Sequence, residues 1–186
     1  MKFIMNTIKF ETANLFDYEC DILIGCGTLG FSIIGTLFKQ FMYEKIQNES
    51  EVRIEGDRIV RYNKDKYYYF IIKDGEKVSN ENKLSDKKLI SSLDKVFLFI
   101  KEKNLKTLAM NILSSHKNAD ELEFLKESRK FYRIYLLMDY FNYITQKLQL
   151  DEITINVCDL RYDFSKIKYT PFYQNENNKY EFIPKK

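Results

Sequence analysis

The residues best suited to chemistry lie in Gly25-Cys26-Gly27-Thr28-Leu29-Gly30, a G-x-G-x-x-G run in a chain with only six glycines. Glycines at this spacing leave backbone N–H groups bare. Where such a run opens a helix, those groups and the helix dipole favour an anion such as phosphate. Gly25, Gly27 and Gly30 would take phosphate oxygens on their amides, and Thr28 or Ser32 would add a hydroxyl. A second polar stretch, Ser114-Ser115-His116-Lys117-Asn118, contains the single histidine of the chain. Ser114, Ser115 and Lys117 suit the far side of the same phosphate. His116, the one side chain that titrates near neutrality, is the candidate acid or base. A lone loop histidine is, however, more often a solvated surface residue.

The three cysteines, Cys20, Cys26 and Cys158, form an odd set without C-x-x-C spacing. A zinc site would need all of them plus His116, so no metal is expected and buried free thiols are the simpler reading. A nucleophilic pair of Cys26 with His116 stays open, because sequence separation says nothing about distance in space.

The elements around these residues follow from apolar periodicity. Residues 3–10 read as a strand rich in β-formers, and Ile22-Leu23-Ile24 as a short strand buried on both faces. From Phe31 to Ile46 the apolar positions recur at helical spacing. Val52–Glu55, the Gly56-Asp57 turn and Arg58–Tyr62 predict a hairpin, followed by the aromatic strand Tyr67–Ile72. Alternation there puts Tyr67 and Tyr69 on one face and Tyr68 on the other. Glu76–Lys83 reads as a polar loop. Ser85-Asp86 can cap a helix with Leu89, Ile90, Leu93, Val96, Phe97 and Ile100 on one face, stopping near Asn104. Thr107–Leu113 is a further strand, and a long helix spans about 120–148. That helix is apolar nearly all round at Phe131–Leu136, which calls for packing on two sides or for contact with a second copy of the chain. Ile153–Cys158 is the last strand. Alternating helices and apolar strands, with antiparallel strands between, predict an α/β fold: three layers, α/β/α, with a mixed central sheet.

The glycine run follows a strand and precedes a helix, as a dinucleotide fingerprint requires, and Glu49 and Glu51 stand about twenty residues on, where a ribose-binding acid belongs. A nucleotide-binding half of that kind also needs a parallel second strand ending in the acid, and here a hairpin follows instead. An NAD-dependent oxidoreductase therefore remains an alternative, as does a plain tight turn from strand to helix.

Composition sets the frame. Of 186 residues 45% are hydrophobic and 31% charged, enough for a core and unlike a disordered chain. Thirty Lys and Arg against 27 Asp and Glu leave a net +3, too little to indicate a nucleic-acid binder. Residues 161–186 hold six of the bases and three of the acids, so they account for the whole excess. They also contain both prolines and seven aromatics, from Tyr162 to Phe182. Two units follow: a domain over residues 1–160 and an aromatic, basic tail over 161–186 that lies on it. No run of about 18 apolar residues predicts a membrane span, and the first residues lack a signal-peptide pattern, so the cytoplasm is the expected location.

Several local patterns, and the order of the elements, resemble a macro domain over residues 3–160. Ile8-Lys9-Phe10-Glu11-Thr12-Ala13-Asn14-Leu15-Phe16 resembles the family's first strand and G-D-I-T turn. Asp21–Ile24 resembles the D-A-I-V-N strand, Thr107–Ser115 the strand leading to the phosphate loop, and Ile153–Asp159 the final strand. The resemblance implies a pocket for ADP-ribose or an NAD-derived ligand. It places Asn14 at the base-contacting turn and Tyr162 where an aromatic covers the base. Asn14 stands where the family has aspartate, and the second loop lacks the glycines of S-T-G-x-x-G. The implied function is binding of a nucleotide or ADP-ribose-like small molecule without efficient hydrolase chemistry. Were there catalysis, it would be hydrolysis of an ADP-ribosyl bond or a phosphoester. A pocketless protein-interaction module is the third reading.

Overall fold

The structure is a computed structural model that describes residues 5–26, 51–54, 57–62, 66–72, 77–78, 81–82, 86–112, 123–160, 162–167 and 175–184. The strands are β1 (Asn6–Glu11), β2 (Ile22–Cys26), β3 (Glu51–Ile54), β4 (Asp57–Tyr62), β5 (Tyr67–Ile72), β6 (Lys77–Val78), β7 (Glu81–Asn82), β8 (Thr107–Asn111), β9 (Thr154–Cys158) and β10 (Asn178–Ile183). The helices are α1 (Asp86–Lys103) and α2 (Glu123–Lys147). Among the described residues the main sheet has eight strands in the order β10-β1-β9-β8-β2-β5-β4-β3. The first six run parallel, and β4 and β3 are antiparallel additions. This is the α/β fold with a mixed sheet that the sequence predicts. The short β6–β7 ladder stands apart, inside the stretch read from sequence as a loop.

Strand alternation sorts the core into two faces. Ile8, Phe10, Ile22, Ile24, Phe70, Ile72, Leu108, Met110, Ile155 and Val157 point to the side where α1 and α2 pack. Leu23, Tyr69, Ile71, Ala109 and Cys158 point to the other side, where Leu15 and Cys20 join them. Tyr68 packs with the first cluster and Tyr67 with the second, as the alternation predicts. The helix predicted over 31–46, which would complete the third layer, lies outside the described residues.

α1 forms because Leu89, Leu93, Val96, Phe97 and Ile100 fall on one face at spacings of three and four, and all are buried. Asp86 in its first turn and Lys101 and Lys103 in its last complement the helix dipole. Both helices end in the same way. Leu105 N–H donates to Ile100 O (2.9 Å) and Asn104 N–H to Lys101 O (3.1 Å), with Asn104 at φ 53°. Leu150 N–H donates to Thr145 O (2.9 Å) and Gln149 N–H to Gln146 O (3.2 Å), with Gln149 at φ 51°. These paired bonds around a left-handed residue close off the last carbonyls, as in a Schellman motif. At the start of β4 the buried Asp57 carboxylate accepts from Ser92 (2.9 Å) and meets Lys88 (3.3 Å) and Lys95 (3.5 Å), which pins α1 to the antiparallel part of the sheet.

β10 lies in the stretch read from sequence as a tail. Lys179-Tyr180-Glu181-Phe182 alternates charged with aromatic residues, the period of a half-buried strand, and its partner β1 lies at the other end of the chain. Side-chain chemistry holds it. The Asn178 amide oxygen accepts from Asn6 Nδ2 (2.9 Å), while its Nδ2 donates to Thr145 Oγ1 and Asn142 Oδ1 (both 3.0 Å). Asn6 in turn donates to Leu150 O (3.0 Å) and accepts from Ile153 N–H (2.9 Å). Both asparagines are fully buried, and such a network is stable only because its groups are paired. Three aromatics of the region called a tail, Phe164, Tyr180 and Phe182, gather around Phe10, with ring centroids at 5.8, 6.5 and 5.1 Å.

Candidate functional site at the carboxyl edge of the sheet

The chain leaves β2 toward β5 on one side. It then crosses α1 to β8 on the opposite side of β2 and continues outward to β9. The connections part between β2 and β8, and in open α/β sheets the crevice at the carboxyl ends of such strands is where ligands settle. In sequence, the glycine run begins at the end of β2, which stops at this edge, and residues 114–117 come soon after β8 and the buried Ile112. β2 and β8 are hydrogen-bonded neighbours, with Ile22, Leu23 and Ile24 opposite Leu108, Ala109 and Met110.

Of the predicted site residues, Gly25, Asn14 and Tyr162 are described; Gly27, Thr28, Gly30, Ser32, Ser114, Ser115, His116 and Lys117 lie outside the described residues. Gly25 is buried in β2. A Cβ there would stand 2.5 Å from the Tyr69 hydroxyl, so its bareness already serves packing against β5. Asn14 sits after β1 and caps the 3-10 turn Leu15–Asp17, its Oδ1 accepting from Phe16 N–H (3.2 Å). Tyr162 follows β9 and is buried with its ring edge-on to Phe164 at 5.0 Å. Thr12 Oγ1 donates to Tyr162 O (2.6 Å), tying the turns after β1 and β9 together. Tyr162 thus belongs to the cluster on the helix side of the sheet.

The edge also carries polar groups that sequence reading passed over. Register aligns Glu11 with Cys158 and Cys158 with Asn111. One residue beyond the Ile24–Met110 pair, Gly25 stands level with Asn111. The Tyr18 phenol donates to Glu11 Oε2 (2.8 Å), and burial, with this bond, pushes the phenol well above its ordinary value. The Cys158 thiol lies 3.5 Å from Met110 O and 3.6 Å from Asn111 Oδ1. Burial, reinforced by nearby Asp159 and Glu11, pushes Cys158 strongly up, so it stays a thiol. Burial also raises Cys20, against the bond from Asn156 Nδ2 (3.7 Å). Neither Cys20 nor Cys158 is thiolate-like, the state a nucleophile requires. Outside this row, Lys130 pairs with Asp159 (3.4 Å). A hollow of about 530 Å³, lined by Ser128, Phe131, Tyr132, Tyr135, Tyr162 and Lys166, opens along α2. Among the described residues no group of three His, Cys, Asp or Glu side chains could hold a metal ion, and no helix is long and apolar enough to cross a membrane.

No protein-family model matches the chain, and no curated protein matches it. Among solved structures it is similar to the macrodomain of Thermus aquaticus DarG, at 12% identity over 83% of this chain and 99% of that one, with a TM-score of 0.48. It is similar to the macrodomain of Mycobacterium tuberculosis DarG, at 15% identity over 81% of this chain and 96% of that one, TM-score 0.47. It is also similar to alphavirus P23pro-zbd, at 11% identity over 83% of this chain, TM-score 0.50; the match spans 22% of the viral chain. At these identities the likeness is one of fold alone.

Proposed function

We propose that the chain binds a nucleotide or ADP-ribose-type ligand at the carboxyl edge, where β2 and β8 part. The observation that carries this reading is the topology. β2 and β8 are neighbouring parallel strands that end where the connections diverge, and the sequence sets phosphate-compatible residues after each of them. Gly27 and Gly30, with Thr28 or Ser32, would cradle phosphate from one side. Ser114, Ser115 and Lys117 would close the other. Asn14 stands at the turn where the base would lie. His116 is the candidate for proton transfer. The rival oxidoreductase is disfavoured, because β3, the first described strand after the glycine run, pairs with β4 at the far edge of the sheet and not with β2. A dinucleotide-binding half would lay its next strand directly beside the first.

Calorimetry against ADP-ribose, NAD, ATP and AMP tests the proposal. Micromolar binding of ADP-ribose that is lost in Gly27→Glu is the expected result. Silence across the panel would sink it and favour the interaction-module reading. That second reading has one observation of its own, the exposed Phe131 and Tyr132 beside the aromatic hollow on α2.

A further inference from the structure

Asn111 ends β8 on the face of the sheet shared with Ala109, Leu23 and Cys158. In the row that crosses the carboxyl edge from Glu11 through Cys158 and Asn111 to Gly25 and Ile71, it is the side chain nearest the parting of β2 and β8 that can still act as a donor. Glu11 is already engaged by Tyr18, Cys158 is fully buried, and Gly25 has no side chain. Asn111 is half-buried, and among the described residues its amide has one side-chain partner, the Cys158 thiol. A protonated thiol faces the amide oxygen, so Oδ1 turns inward and Nδ2 turns away from Cys158.

We propose that Asn111 Nδ2 donates a hydrogen bond to a phosphate oxygen of the bound ligand, and that Cys158 is the positioning residue that sets the amide's orientation. This rests on the nucleotide-binding reading and extends it to a residue and a ligand group. The phosphate would lie off the carboxyl end of β8, on the face of the sheet that Asn111 shares with Cys158. A neutral carboxamide suits this place. Beside Glu11 and Asp159, a further carboxylate would repel the ligand.

Asn111→Asp separates the two roles of the side chain. It keeps an oxygen for the Cys158 thiol but puts a negative oxygen where the donor was. Titrations of the full chain with ADP-ribose, ADP and adenosine should show Asn111→Asp weakening the two phosphate ligands at least about tenfold. Adenosine binding and the thermal midpoint should stay close to wild type. Cys158→Ala should weaken ADP-ribose binding to a smaller degree, and Cys158→Ser, which keeps a donor, should restore it. If Asn111→Asp fails to fold, Asn111→Ala should still lose affinity for ADP-ribose selectively over adenosine. Wild-type affinity for ADP-ribose in the Asn111 variants overturns this inference and leaves the binding reading standing. Absence of binding by the wild type to all three ligands overturns both.

Discussion

The Tyr69 hydroxyl occupies the space in which a side chain at Gly25 would begin: a Cβ built there lies 2.5 Å from Oη and 3.3 Å from Cζ. Tyr69 is buried on β5, the strand paired with β2, and its ring also meets Phe16 at 6.1 Å. Gly25→Ala should therefore destabilise the fold by about 1–3 kcal/mol through overpacking. Shortening the neighbour in Tyr69→Phe should make the alanine less costly. A double-mutant cycle in urea tests this, and additive effects would contradict the steric account.

Asn178 and Asn6 bind the two ends of the chain through one buried amide contact. Asn178→Ala leaves one N–H of the Asn6 amide unmatched and takes a donor from Thr145 and Asn142, which keep their bonds with Phe141 O and the Tyr180 hydroxyl. The expected cost is about 2–4 kcal/mol, since each buried polar group left unsatisfied costs on the order of 1–3. Limited proteolysis should then cut near β10 well before the rest of the domain. A variant as resistant as wild type would mean that the apolar contacts of Tyr180 and Phe182 suffice.

Gln149 holds φ at 51° to end α2, a conformation that a residue with a Cβ adopts at some cost. Gln149→Gly should stabilise by about 0.5 kcal/mol, the relief of strain exceeding the entropy added to the unfolded chain. Asn104→Gly should gain less, because asparagine tolerates this region better. Thermal unfolding of the two variants side by side checks the ranking.

Cys158 makes a prediction about pH. Its thiol is raised by burial above the ordinary value of 9.0. The folded state therefore holds its proton where the unfolded state begins to release it. Its contribution to stability is fully present below pH 9 and is lost as pH rises toward the folded-state value. Denaturant titrations between pH 7 and pH 10.5 should show a decline in wild type that is shallower in Cys158→Ala. At pH 8 the native thiol should also resist labelling until the protein unfolds.

Much of the fold could be read without coordinates. The apolar run at Ile22–Ile24, the hairpin at 52–62, the face of α1 and the alternation of Tyr67, Tyr68 and Tyr69 are local patterns, each set by a period of 2 or 3.6 within a few residues. The sequence also sets two polar stretches after two apolar strands, β2 and β8, and these two strands lie side by side. The neutral body and basic aromatic end are likewise properties of the sequence alone.

What only the tertiary structure decided are relationships between residues far apart. The alternation in Lys179-Tyr180-Glu181-Phe182 is a local strand signal, but where β10 pairs is decided by the buried amide and aromatic partners on β1 and α2 that receive it. Asn111 reads as an ordinary strand residue until register sets it beside Cys158 and level with Gly25. Gly25 reads as a phosphate glycine, and the fold adds a packing reason from β5. Hydrophobic periodicity is written along the chain, whereas hydrogen-bond satisfaction and steric fit depend on which distant groups meet. The chain alone determined the elements and their order, and the fold decided that β2 and β8 end side by side at one edge.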